Sequence, residues 1–416
     1  MNAASGTLPQ ILLARAERSG DAVALREKKY GIWQEITWRH YADQMRAACL
    51  SLVGLGLEAG DTVAIVSGNR PAWLYVELAA QSAGAIPLGI LADDPTDDLR
   101  FALEHSDARF AVVEDQEQAD KVLSVRGALP RLERIVVEDM RGLEAYRDPA
   151  VISLAEVSER GRELDAREPR RCRELVERTA AGDVAFLAYP GGAMRGAAPV
   201  RLSHRDLLTM ANGVTQTDPV RESDEIFSFL PFGRVEEQLL SVAVALSAGA
   251  TVSFPEEPET IRDDLREIGP HVIIAPARLW EAMCSECRVK IADSGALKRA
   301  AARAALRLGG RASIRRRGAA GLVRHTAAHL LALRAVLDKL GLSRVRRAYV
   351  AGAQLEPDVS RFFWSLGLNL TQLDGHAETS VISALNPEAD GRVGTVGTPT
   401  PGPRGRVGGG DPAPLR

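Results

Sequence analysis

Short apolar runs alternate with segments of helical spacing along most of this chain, and that alternation constrains the fold more than any composition figure. Thr62–Val66, Gly84–Leu91 and Phe110–Val113 are too short for helices, while Pro71–Ala83 and Asp97–His105 between them repeat at helical spacing. Strands that are apolar on both faces and separated by helices predict a mostly parallel sheet covered on both sides. Ahead of these, Leu8–Ser19 reads as a helix and Ala22–Arg26 with Ile32–Thr37 as paired strands, after which Thr37 precedes a helix through Tyr41 and Met45 to Leu55.

Asp148–Ala180 is charged and weakly periodic, a helix and connector into the second half, where the alternation resumes. Val184–Ala188, Phe227–Pro231, Thr251–Phe254 and Val272–Ala275 read as strands. Segments from Arg205, over Val235–Leu246 and over Ile261–Ile268 read as helices. The expected fold class is α/β, with two doubly wound sheets sandwiched by helices. The expected division is a first α/β subdomain over 8–175, a second over 180–402 and a disordered tail over 403–416, rich in Gly, Pro and Arg.

The remaining composition excludes more than it selects. A net charge of -3 gives no general attraction to nucleic acid, and no nucleic-acid partner is expected. Four cysteines in 416 residues make no disulfide framework, which points to the cytoplasm. Cys284-Ser-Glu-Cys287 has metal-ligand spacing but no second pair, so chance placement on a helix is the bland reading against zinc or redox chemistry. The first 21 residues carry Arg15, Glu17 and Arg18 inside their apolar pattern and do not read as a signal peptide. The apolar stretch Leu239–Phe254 falls short of a bilayer span.

The informative stretch for chemistry is Ala188–His204, A-Y-P-G-G-A-M-R-G-A-A-P-V-R-L-S-H. It leaves an apolar strand and enters a helix, and Gly191, Gly192 and Gly196 permit the tight turns that cluster backbone N–H groups into an anion nest. The stretch is expected to be a loop joining strand to helix. It resembles Y-T-S-G-T-T-G-x-P-K-G-V-x-L-S-H, the signature of the adenylate-forming superfamily, and the wider pattern resembles bacterial long-chain fatty-acid–CoA ligases. Tyr189, Gly192, Val200, Leu202, Ser203 and His204 match the signature. Pro190, Gly191, Ala193, Met194 and Ala198 replace every loop hydroxyl and the lysine.

Further segments carry the same resemblance in the same order. Gly56-Leu-Glu-Ala-Gly-Asp61 and Asn69-Arg-Pro-Ala-Trp73 resemble the opening of the long-chain ligases and build the fold without chemistry. Leu230–Gln238 resembles L-P-L-x-H-x-x-E-Q, which borders the acyl and nucleotide sites and implies Arg234 and Gln238 as acyl-pocket residues. Arg234 stands where the family has an aromatic or His, and its charge is costly to bury unpaired. Ala351–Leu355 resembles G-G-A-x-L, which implies Gly352 and Ala353 against adenine. Gln372–Thr379 resembles Q-x-Y-G-x-T-E-T, which implies Gly375 at the nucleotide and Glu378 as catalytic residue and Mg²⁺ ligand. Asp374 replaces the stacking tyrosine and Ala377 the threonine at the α-phosphate. Gly391–Gly402 resembles V-G-x-P-x-P-G.

The resemblance implies ATP, Mg²⁺ and CoA as cofactors or co-substrates, with a fatty acid and an adenine nucleotide as ligands. Its reaction joins fatty acid and ATP into acyl-AMP with release of pyrophosphate, then passes the acyl group to CoA. Replaced motif residues, and an end reached before the family's ribose-binding Asp and C-terminal domain, lead to the expectation of a truncated, degenerate ligase with little activity alone. The alternatives are a non-catalytic acyl or nucleotide binding module, or one half of a split ligase. Ser294–Leu337 holds ten Lys or Arg and no Asp or Glu, with Arg299, Arg303, Arg307 and Arg311 on one helix face. Contact of Lys298–Arg317 with an anionic membrane surface or with CoA phosphates is the sharp reading, and a solvated face over apolar surface the bland one.

Overall fold

The computed structural model describes residues 6–189, 199–296, 299–300, 302, 304, 306, 334–376, 381–385 and 398–399. Gly191, Gly192, Glu378, most of Lys298–Arg317 and the tail 403–416 lie outside the described residues.

In chain order the first strands are β1 (Val23–Lys29), β2 (Ile32–Thr37), β3 (Thr62–Val66), β4 (Ile86–Ile90), β5 (Ala108–Val113), β6 (Arg134–Val137), β7 (Val151–Ser153) and β8 (Val184–Ala188). They are followed by β9 (Val200–Ser203), β10 (Glu225–Phe227), β11 (Thr251–Phe254), β12 (Val272–Pro276), β13 (Arg347–Ala351), β14 (Leu370–His376), β15 (Val381–Leu385) and β16 (Thr398–Pro399). They form a seven-stranded sheet in the order β7-β6-β5-β3-β4-β8-β9 and a nine-stranded sheet in the order β16-β15-β14-β13-β12-β10-β11-β1-β2. Central pairings are parallel, and antiparallel partners occur at the edges, where β9 joins β8, β2 joins β1 and β15 joins β14.

Five layers result. One core lies between the sheets and takes in helices 8–19, 38–54, 71–82, 204–217 and 235–248, with Leu12, Met45, Trp73, Leu208 and Leu240 buried against Ile65, Phe186, Val252 and Ile274. A second core covers the far face of the nine-stranded sheet with helices 261–268, 277–293 and 357–365. A third covers the far face of the seven-stranded sheet with helices 96–105 and 116–125. Strands buried from both sides must be apolar on both faces, which is why β3 reads Thr-Val-Ala-Ile-Val and is buried throughout.

Local chemistry sets the helix starts. Thr7, Thr37, Asp115, Ser153 and Ser203 each cap a helix by accepting a backbone N–H with the side-chain oxygen. Two expectations need correction. The strands do not divide at 175–180: β1 and β2 cross to the nine-stranded sheet, and β8 and β9 return to the seven-stranded one. Asp148–Ala180 is also more ordered than its weak periodicity suggests, holding β7 and helices 154–167 and 171–178. Cys284 and Cys287 lie on the buried face of helix 277–293, in the core with Trp280. Among the described residues no helix is long and apolar enough to cross a membrane.

Candidate nucleotide and acyl site

Parallel strands direct the loops at their C-terminal ends to one edge, where open α/β sheets take their ligands. The loops after β3, β4, β10 and β13 carry Ser67–Arg70, Leu91, Ser228–Arg234 and Gly352–Ala353 respectively. The sheets touch at this edge through bare backbone. A Cβ built on Gly89, in β4, would lie 2.7 Å from the Cα of Gly233 and 2.7 Å from the ring of Phe186. Asn69 fastens the junction. Its amide donates to Ser228 Oγ at 2.9 Å and to the Leu230 carbonyl at 2.6 Å, and its Oδ1 accepts from the Phe232 N–H at 3.2 Å. Asn69 therefore has the fold-building task expected of its segment, and these bonds show what it joins.

The glycine-rich stretch departs from β8. Tyr189 is buried, with its phenol 2.9 Å from His105 Nδ1, and His105 stacks on Phe101. Residues 190–198, with Gly191 and Gly192, lie outside the described set, and the chain returns as β9, antiparallel to β8 with Ala188 opposite Val200. The segment is thus the connection of a hairpin, a correction to the simple strand–loop–helix reading. Its end is architectural. Ser203 and Asp206 form a reciprocal capping box. His204 is buried, its Nδ1 accepts the Leu8 N–H at 3.3 Å, and burial pushes its pKa down to about 4.

The Leu230–Gln238 segment separates the two residues expected at the acyl pocket. Gln238 is fully buried and its amide donates to Glu77 Oε2 at 2.9 Å and to the Phe232 carbonyl at 3.0 Å. Glu77 also accepts from Trp73 Nε1 at 2.9 Å and from Gln81 at 3.2 Å, and burial pushes its pKa up to about 7 despite these donors. Neighbouring Glu237, held by Ser228 and by Ser241 at 2.6 Å, is pushed up to about 7 for the same reason. Helix 235–248 is π-wound over Gln238–Val244. Arg234 stays half-buried at the helix entrance, and its Nη2 lies 3.7 Å from where a Cβ on Gly352 would be.

Gly352 and Ala353 are exposed at the end of β13, and Gly352 has φ +75°, a left-handed conformation that side chains disfavour. Gln372 donates to the carbonyls of Gly352 and Ala353 at 3.3 and 3.4 Å. The turn offers a ligand open backbone with no side chain in the way. Gly375 lies in β14 opposite Ile382 of β15, at a register shift. Among the described residues no group of three His, Cys, Asp or Glu side chains could hold a metal ion, and the expected ligand, Glu378, is outside them. At the start of the basic stretch Arg299 is tied to the Ser294 carbonyl at 2.9 Å, whereas Arg303, Arg307 and Arg311 are not among the described residues.

Two sheets meeting at their C-terminal edges, a hairpin carrying the glycine-rich loop and a bare glycine turn form one arrangement. The model of the AMP-binding enzyme family matches residues 12–413. The chain belongs to that family. It is 24% identical over 384 residues to the long-chain fatty-acid–CoA ligase ACSBG2 of Xenopus laevis, covering 90% of this chain and 51% of that protein. It is 27% identical over 379 residues to the long-chain fatty-acid–CoA ligase FadD15 of Mycobacterium bovis, covering 89% and 60%. The chain thus spans between half and three fifths of the length of these curated relatives. Among solved structures it resembles the anthranilate–CoA ligase AuaEII in complex with anthranoyl-AMP, with TM-score 0.70, 18% identity and coverage of 96% of this chain and 66% of that one. It also resembles the N-terminal domain of FACL13 from Mycobacterium tuberculosis, with TM-score 0.67, 16% identity and coverage of 95% and 83%. These structural likenesses identify the fold: two sheets with helices, as in the N-terminal domain of adenylate-forming enzymes.

Proposed function

We propose that this chain binds an adenine nucleotide and a fatty acid at the joined C-terminal edges of its sheets, and forms acyl-adenylate only at a residual rate. The observation that carries this reading is the loop itself, because residues 190–199 contain no Ser, Thr or Lys. In the family reaction a carboxylate oxygen attacks the α-phosphorus, the bond to the bridging oxygen breaks, and negative charge collects on the departing pyrophosphate. Preorganised donors aimed at that charge lower the barrier, and losing one such donor costs about 10²–10³ in rate. Backbone N–H groups supplied by Gly191, Gly192 and Gly196 would remain as donors. Mg²⁺, when bound, would offset part of the same charge, and Glu378 is the residue that would hold it.

Adenine needs close backbone approach, which the open Gly352–Ala353 turn supports. Nucleotide binding is accordingly the better preserved half of the function. The test is pyrophosphate release with Mg²⁺-ATP and a panel of fatty acids. The expected rate is at least about 10³ below that of a long-chain ligase with an intact loop, since several donors are replaced together. Turnover matching such a ligase would overturn the proposal. Binding of AMP and fatty acid with no pyrophosphate release at all would favour the non-catalytic binding module instead.

A further inference from the structure

Three arginines near the sheet edges each sit between two carboxylates. Arg70 lies between Glu114 and Glu138, Arg109 between Asp61 and Glu133, and Arg26 between Glu35 and Glu225. Arg234 is different. Its backbone is held at both ends, the N–H donating to the Pro231 carbonyl at 2.9 Å and the carbonyl accepting from Gln238 at 3.1 Å. Its Nε is sealed from solvent with no hydrogen-bond partner, and Glu236 Oε2 forms a loose ion pair with it at 3.7 Å, too long for a hydrogen bond. No described residue accepts a hydrogen bond from its guanidinium.

That guanidinium projects over the Gly352 turn, at contact distance from the Cβ position that Gly352 leaves empty. An arginine cannot shed its charge, and its planar fork fits a two-oxygen anion. A guanidinium with no hydrogen-bond acceptor, beside a bare turn at the edge where ligands enter, suits an oxyanion. We propose that Arg234 binds an oxyanion of the ligand lying over Gly352. The anion is either the phosphate of the nucleotide or a second, distal carboxylate on the acyl substrate. The inference rests on the reading that a nucleotide and an acyl ligand occupy this edge, and it gives Arg234 a recognition role beyond lining an apolar pocket.

Calorimetry on the full chain compares adenosine with AMP, and a fatty acid with the dicarboxylic acid of equal length, for the wild type, Arg234→Gln and Arg234→Lys. In the wild type the charged member of at least one pair binds about tenfold more tightly. Arg234→Gln erases that preference, while Arg234→Lys keeps part of it. A preference only for AMP assigns the phosphate, and one only for the diacid assigns the acyl carboxylate. Inorganic phosphate is a further probe, read as a rise in Tm. If adenosine and the monoacid do not bind but phosphate raises the Tm of the wild type more than that of Arg234→Gln, the oxyanion site stands and the wider functional reading falls. Equal responses of wild type and Arg234→Gln to all these probes overturn the inference.

Discussion

Replacing Glu77 by Gln should flatten the pH dependence of stability by a predictable amount. The carboxyl group is fully buried under helix 235–248, among Trp73, Gln81 and Gln238, and its pKa is pushed up to about 7 from 4.5 by desolvation. The folded chain therefore holds this proton more tightly than the unfolded chain. The resulting contribution favours folding below the unfolded pKa and is lost as pH rises through about 7. At about 1.4 kcal/mol per pKa unit the whole effect is about 3 kcal/mol, of which about 2.5 kcal/mol falls between roughly pH 5 and pH 8. Glutamine keeps an acceptor for Trp73 and Gln238 but has no proton to exchange. Urea unfolding followed by tryptophan fluorescence at both pH values, on wild type and Glu77→Gln, isolates the term from Glu237 and other titrating groups. The stability of wild type relative to the variant should fall by about 2.5 kcal/mol over that interval. Parallel pH profiles, within about 0.5 kcal/mol, would refute the claim that this buried carboxyl changes its charge near neutrality.

Ala198→Lys alone should leave pyrophosphate release near background, since the loop hydroxyls are still missing; a large rise in rate would show that the lysine was the only lost donor. Gly161→Ala should destabilise by about 3 kcal/mol or more, because the added Cβ would sit 1.8 Å from the Ala47 carbonyl oxygen where helices 154–167 and 38–54 cross. Gly127→Ala, with nothing within 4 Å of the added carbon, is the control expected to change little in a thermal melt. Lys28→Met should cost about 3–5 kcal/mol in urea unfolding, because Lys28 Nζ lies 2.7 Å from the fully buried Asp264 and its loss strands that charge. A cost under about 1 kcal/mol would mean that the Glu256 N–H and Thr260 hydroxyl satisfy Asp264 unaided.

Sequence by itself determined whatever depends on neighbours along the chain. Helix 8–19 follows from its periodicity, and β3 and β12 follow from apolar runs too short to be helices. The family was legible too, because backbone-driven motifs such as Ala351–Leu355 need their glycines wherever they occur. Only the tertiary structure decided which sheet each strand joins. β1 pairs with β11 across more than two hundred residues because their buried faces fit there, and local spacing carries no record of the partner. It likewise decided that His204 ends a helix cap and holds Leu8, that Gln238 is buried beside Glu77, and that Arg234 reaches Gly352. A polar residue's role depends on which donors, acceptors and low-dielectric surroundings the fold brings to it, and those come from segments far apart in sequence.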